Sequence, residues 1–180
     1  MPYGSTGIFT DKEWANGYRP NEAWETFLAR DVVRAIDSRY RTIRSGSGRA
    51  IAGLSEGGYG ALNIGLHHPG EFRVLESWSG YQKADDLRSI FGGVPRLLAR
   101  NSPLNTLAHV APRLRAAGTY VWFYSADRDR YRHQNAAFAH LLRKERIPHH
   151  YFVVAGGHNW ALWRGQASNA LLVAARHLRA

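Results

Sequence analysis

Arg49-Ala50-Ile51-Ala52-Gly53-Leu54-Ser55-Glu56-Gly57-Gly58-Tyr59-Gly60-Ala61-Leu62 is the stretch that decides the fold. Its first six residues read as a short buried strand. Its Gly-rich second half opens a helix that runs to about His68, where Pro69-Gly70 stops it. Between the two, Gly53-Leu54-Ser55-Glu56-Gly57 fits G-x-S-x-G, the nucleophile elbow. The chemistry needs this form for a steric reason. The Ser occupies a sharp strand-to-helix turn, and its neighbours two residues away on either side come so close that a side chain would clash. The turn lifts the Ser55 hydroxyl clear of the sheet. It also points the backbone N–H of Glu56 into an oxyanion site at a positive helix N-terminus. The plain alternative is a Ser capping an ordinary strand-to-helix turn. The buried strand before Ser55 and the Gly-rich helix start after it are the context the elbow demands.

Working outward, the first twenty residues read as an ordered loop anchored by Tyr3, Phe9, Trp14 and Tyr18. Asn21 is expected to cap a helix over residues 22–40, whose apolar positions Trp24, Phe27, Leu28, Val32, Ala35 and Ile36 recur at three- and four-residue spacing. Residues 41–48 form a polar turn. Residues 72–78 read as a second strand. Residues 81–118 read as an irregular, cap-like insertion with short helical patterns around Leu97 and Leu107 and breaks at Gly92-Gly93, Pro95, Pro103 and Pro112. A third strand covers residues 119–124, a helix 132–146, a fourth strand 149–155 and a last helix 160–177. This alternation predicts a single α/β domain, a mostly parallel sheet with helices on both faces. Ligands in such sheets bind at the carboxyl ends of the strands. Ser55, Asp129 and His158 all fall just after predicted strands, on that edge.

A Ser hydroxyl is a poor nucleophile without a base. Of nine histidines, His158 is best placed, in Gly156-Gly157-His158-Asn159-Trp160 after the last strand. His67, His140 and His177 lie within or at the ends of helices, and His68 precedes Pro69. His149-His150 begins a strand at the wrong edge of the sheet. Neighbouring side chains diverge, so these adjacent pairs are poor chelators and no metal is assigned. The base needs a carboxylate to hold its tautomer. Asp127 and Asp129 both follow the third strand, and either gives the order Ser–Asp–His. The residues alone leave the choice open.

Residues 53–61 resemble the elbow of the esterase-D and mycolyltransferase-like α/β hydrolases, a family that includes S-formylglutathione hydrolase, feruloyl and enterochelin esterases, and actinobacterial mycolyltransferases. Trp24-Glu25-Thr26-Phe27, Ile36-Asp37-Ser38-Arg39-Tyr40-Arg41, His68-Pro69, Ser77-Trp78-Ser79-Gly80 and Gly156-Gly157-His158-Asn159-Trp160 with Trp163-Arg164 carry the resemblance further. It implies an α/β-hydrolase fold, a Ser55–Asp129–His158 triad, no cofactor, and a small-molecule or lipid or sugar ester as substrate. Tyr124-Ser125-Ala126-Asp127-Arg128-Asp129-Arg130-Tyr131 resembles the family's acid segment with Asp129 at the acid position. Asp127 falls where the family often has Thr and stands as the alternative acid. Glu56 departs from the family's usual Met at the position after the nucleophile. The family's first strands, with the His-Gly loop that gives the second oxyanion N–H, find no match before Met1. The chain is therefore expected to be the C-terminal portion of the full fold, with any signal or membrane anchor belonging to the part before it.

Composition narrows the rest. The 180 residues carry a formal net charge of +10, but the arginines are scattered, and the densest group, Arg128, Arg130 and Arg132, is interleaved with Asp127 and Asp129. That reads as a solvated surface and not as a nucleic-acid face. There is no Cys, which excludes disulfides, thiolate metal sites and Cys nucleophiles. No apolar run is long enough to span a membrane. Three functions follow from these residues: ester hydrolysis, acyl transfer to a sugar, or binding by a hydrolase fold that no longer turns over.

Overall fold

The computed structural model describes residues 13–178. From residue 50 onward the chain alternates strand and helix. β1 (Ala50–Leu54), β2 (Val74–Trp78), β3 (Tyr120–Ala126) and β4 (His149–Val154) lie side by side in the order β1-β2-β3-β4, all parallel. Parallel neighbours need long crossovers. α3 (Glu56–His67) links β1 to β2, and α7 (Arg132–Lys144) links β3 to β4. α4 (Arg88–Phe91), α5 (Pro95–Arg100) and α6 (Pro103–Ala117) fill the link from β2 to β3. α8 (Trp160–His177) follows β4 with the bounds its pattern predicts.

β3 shows how the core divides. A strand sends successive side chains to opposite faces. Val121 and Phe123 enter the main core with Leu62 and Ile64 of α3, Leu107 and Leu114 of α6, and Phe138 of α7. Trp122 and Tyr124 point the other way, into a second cluster closed by Leu162, Trp163 and Ala170 of α8. Helices therefore cover both faces, as the strand–helix alternation predicts.

Two local expectations are corrected. Asn21 caps nothing. The Glu22 N–H donates to the Arg19 carbonyl and the Gly17 N–H to the Glu22 carbonyl, so residues 17–22 are spent on a turn. The helical run then begins as α1 (Trp24–Thr26), passes through a π-helical stretch (Phe27–Val32) and ends as α2 (Val33–Arg39). Asn16 serves this start instead, its Oδ1 accepting the Thr26 N–H at 3.1 Å. The second correction is in residues 81–118. α6 is fifteen residues long and runs straight through Pro112. Pro103 suits its first turn, and Gly118, at φ 64°, ends it in the left-handed region. Burial of Leu107, Ala111 and Leu114 in the main core offsets the hydrogen bond that Pro112 cannot donate. α6 is thus one continuous helix of the main core.

A polar knot ties the first helix to the sheet's helices. Buried Glu25 accepts hydrogen bonds from His67 Nδ1 and His68 Nε2, both at 2.9 Å, and His67 Nε2 donates to the Arg100 carbonyl at 2.9 Å. Burial alone would raise the Glu25 carboxyl, but the two imidazoles outweigh it and hold it at about 2. Because the folded value lies below the ordinary 4.5, the contribution of the Glu25 carboxylate is present above pH 4.5 and is lost as pH falls toward 2. Tm measured across that window should drop in the wild type and stay flatter in Glu25→Gln, which is already weakened at neutral pH.

Candidate active site

Ser55 follows β1 directly and holds φ 52°, ψ −117°. A non-glycine residue rarely adopts this backbone, and the strain costs about 1–3 kcal/mol. Neighbouring backbone sustains it. The Ser55 N–H donates to the Trp78 carbonyl at 2.9 Å, and the Tyr59 N–H donates to the Ser55 carbonyl at 3.1 Å. At Gly53 the glycine requirement has the predicted origin, since a Cβ there would sit 2.2 Å from the Gly57 carbonyl oxygen. Glu56 is the first residue of α3, and first-turn N–H groups are not used within a helix.

The structure brings the three predicted side chains together from the ends of β1, β3 and β4. Ser55 Oγ lies 2.8 Å from His158 Nε2. His158 Nδ1 lies 2.9 Å from Asp129 Oδ2. The Asp129 side chain is fully buried, and its other oxygen, Oδ1, accepts the Tyr131 N–H at 2.9 Å. Asp127 is exposed and reaches elsewhere: its Oδ1 accepts the Gly156 N–H at 2.9 Å. The carboxylate against His158 is thus that of Asp129.

Residues beyond those three set the geometry. The His158 ring stands edge-on to Trp163, with centroids 5.0 Å apart, and to Tyr131 at 6.1 Å. Asn159 caps α8, its Oδ1 accepting the N–H groups of Ala161 at 3.1 Å and Leu162 at 3.2 Å. The residue next to His158 is thereby pinned to a helix start. An Asn directly before a predicted helix carries that signal in the sequence. Tyr131 gives no such local sign, because it reaches the site only through the turn after β3. Tyr81 stacks on Tyr59 at 4.7 Å and packs against Tyr131 at 5.0 Å. The next residue, Gln82, is held by Gln134 and Asn135 of α7.

Two of the hollows that reach Ser55 differ in character. One, of about 390 Å³, is polar, with Lys83, Asp85, Arg130 and Gln134 among its walls. The other, of about 690 Å³, is apolar and lined by Leu54, Trp78, Trp160, Trp163 and Leu171. On the sheet face below Trp78, Glu76 is buried and accepts the Trp78 indole N–H at 3.1 Å. Burial outweighs that bond and pushes its carboxyl up to about 7. Among the described residues, no group of three or more His, Asp or Glu side chains is placed to hold a metal ion, and no helix is long and apolar enough to cross a membrane.

The Esterase family model matches residues 1–173. The chain belongs to this esterase family. An acetyl esterase of Caldicellulosiruptor saccharolyticus is 22% identical over 187 residues, covering 94% of this chain and 68% of that protein. Esterase Rv1288 of Mycobacterium tuberculosis is 40% identical over 57 residues, covering 32% of this chain and 12% of that protein. Among solved structures, a ferulic acid esterase superposes with a TM-score of 0.79 at 25% identity, covering 92% of this chain and 64% of that one. MPT51 of Mycobacterium tuberculosis gives 0.73 at 19%, covering 93% and 73%. The esterase chain thus spans about two thirds of the length of the acetyl and ferulic acid esterases, and a small part of Rv1288. Its parallel sheet flanked by helices is that of the α/β hydrolases, as expected from the strand-to-helix elbow.

Proposed function

We propose that this esterase-family chain is a serine hydrolase that cleaves carboxylic esters through an acyl-enzyme. The observation that carries the reading is the continuous relay from Ser55 Oγ through His158 to a buried Asp129, at 2.8 and 2.9 Å, set on a strained turn. As Ser55 Oγ attacks the acyl carbon, His158 Nε2 takes its proton. Asp129 keeps the Nδ1 proton in place and offsets the imidazolium charge. The Glu56 N–H donates to the developing oxyanion. Collapse expels the alcohol, which receives its proton from His158, and water then repeats the sequence to release the acid.

A fluorophosphonate probe tests this directly. Wild type should be labelled and Ser55→Ala should not; equal labelling of both would reject the assignment. A second acceptor has one observation in its favour. The polar hollow beside Ser55, with Lys83, Asp85 and Gln134, suits a hydroxylated molecule that would compete with water for the acyl group. Product analysis with and without trehalose separates transfer from hydrolysis.

A further inference from the structure

The chain places two carboxylates after β3, and only one of them faces the base. We infer that Asp127 is a positioning residue, which holds the loop carrying His158 by accepting the Gly156 N–H; the inference rests on His158 acting as the proposed base. The loop needs such a hold. Ala155-Gly156-Gly157 joins it to β4, and Gly156 sits at φ 140°, where L side chains rarely go. Two consecutive glycines lose more conformational entropy on ordering than any other pair. Three hydrogen bonds from the turn after β3 meet this segment. The Asp127 N–H donates to the Val154 carbonyl at 2.9 Å, and the Arg128 N–H donates to the Gly156 carbonyl at 3.3 Å. The Asp127 carboxylate accepts the Gly156 N–H at 2.9 Å. Only the last depends on a side chain, and it closes the clamp around Gly156 from its second side. His158 follows two residues later, with its Nδ1 against Asp129 from the same turn. The turn after β3 therefore holds the base twice: its ring through Asp129 and its backbone through Asp127.

The acceptor atom matters here, not the charge, because the donor is a neutral amide. Asp127→Ala removes the acceptor. Asp127→Asn keeps one, since only the amide oxygen can take the Gly156 N–H. With a p-nitrophenyl ester, Asp127→Ala should lower kcat about 10- to 100-fold while KM moves little, as expected when a substitution away from the substrate misplaces the base. Asp127→Asn should restore kcat to within about threefold of wild type. Exchange of the Gly156 amide proton should quicken in the Ala variant and stay near wild type in the Asn variant, while both keep a cooperative thermal transition. A role in stability alone would lower Tm in both without splitting kcat in this way. Wild-type kcat in Asp127→Ala would overturn the inference, and so would an equal loss in both variants. If the probe fails to label Ser55 in the wild type, it is the hydrolase reading that falls. Gly156 exchange then still decides whether Asp127 holds the loop.

Discussion

Ser55→Ala and His158→Ala are each expected to lower kcat on a p-nitrophenyl ester by about 10⁶, and the double variant is expected to fall no further. The reason lies in how the two groups share one event. Ser55 Oγ and His158 Nε2 are 2.8 Å apart, and in the proposed relay the proton leaves the hydroxyl as the oxygen attacks. Without the imidazole, the hydroxyl is close to an ordinary alcohol. Without the hydroxyl, the imidazole has no proton to take. Each removal disables the same step, and a second removal finds nothing left to disable. The remaining rate, roughly 10³ above that in water, comes from binding and from the oxyanion donor. Single-turnover rates for the two single variants and the double variant make the check. Losses that multiply would mean that the two side chains act in separate steps, and the relay would be wrong.

Asp129→Asn should lower kcat by about 10⁴ without unfolding the protein. Its effect follows from what each carboxylate oxygen does. Oδ1 accepts the Tyr131 N–H, and Oδ2 faces His158 Nδ1. In the Asn variant the backbone N–H keeps the amide oxygen, because an NH₂ there would meet another donor. The NH₂ is left facing Nδ1. The ring then accepts at Nδ1 and carries its proton on Nε2, the nitrogen that must receive one from Ser55. Geometry survives and the tautomer is wrong. Asp127→Asn, whose oxygen keeps its task, is the internal control. If Asp127→Asn is the more damaging of the two, the acid has been assigned to the wrong residue.

Sequence reading worked best where the determining contacts were local. The strand–turn–helix around Ser55 is short-range, and so is the Asn159 start of α8. Gly53 had to be glycine because of Gly57, only four residues away. The choice between Asp127 and Asp129 was different. Both follow the same strand with Arg neighbours, and the order Ser–Asp–His fits either. What separates them is which one the turn buries, and that depends on Tyr131 within the turn and on Gly156 and His158 in the loop after β4. α6 was misread for a similar reason. Pro112 is a strong local signal against a helix, and the burial of Leu107, Ala111 and Leu114 that overrides it is a tertiary effect. Asn21 looked like a cap until the turn at residues 17–22 claimed the backbone around it.

The strands that carry the three side chains are aligned without offset, Leu54 beside Trp78, Trp78 beside Tyr124 and Tyr124 beside Phe152. A one-residue slip anywhere in that row displaces a strand end by about 3.3 Å and turns its side chains to the opposite face. Either change exceeds what a hydrogen bond of 2.8 Å can absorb. The proposed nucleophile, Ser55, therefore doubles as a gauge of assembly. In a preparation of mixed quality, the fraction of chains that a fluorophosphonate titrates is expected to equal the fraction whose sheet has closed in the right alignment. A misfolded remainder stays silent, however helical its spectrum.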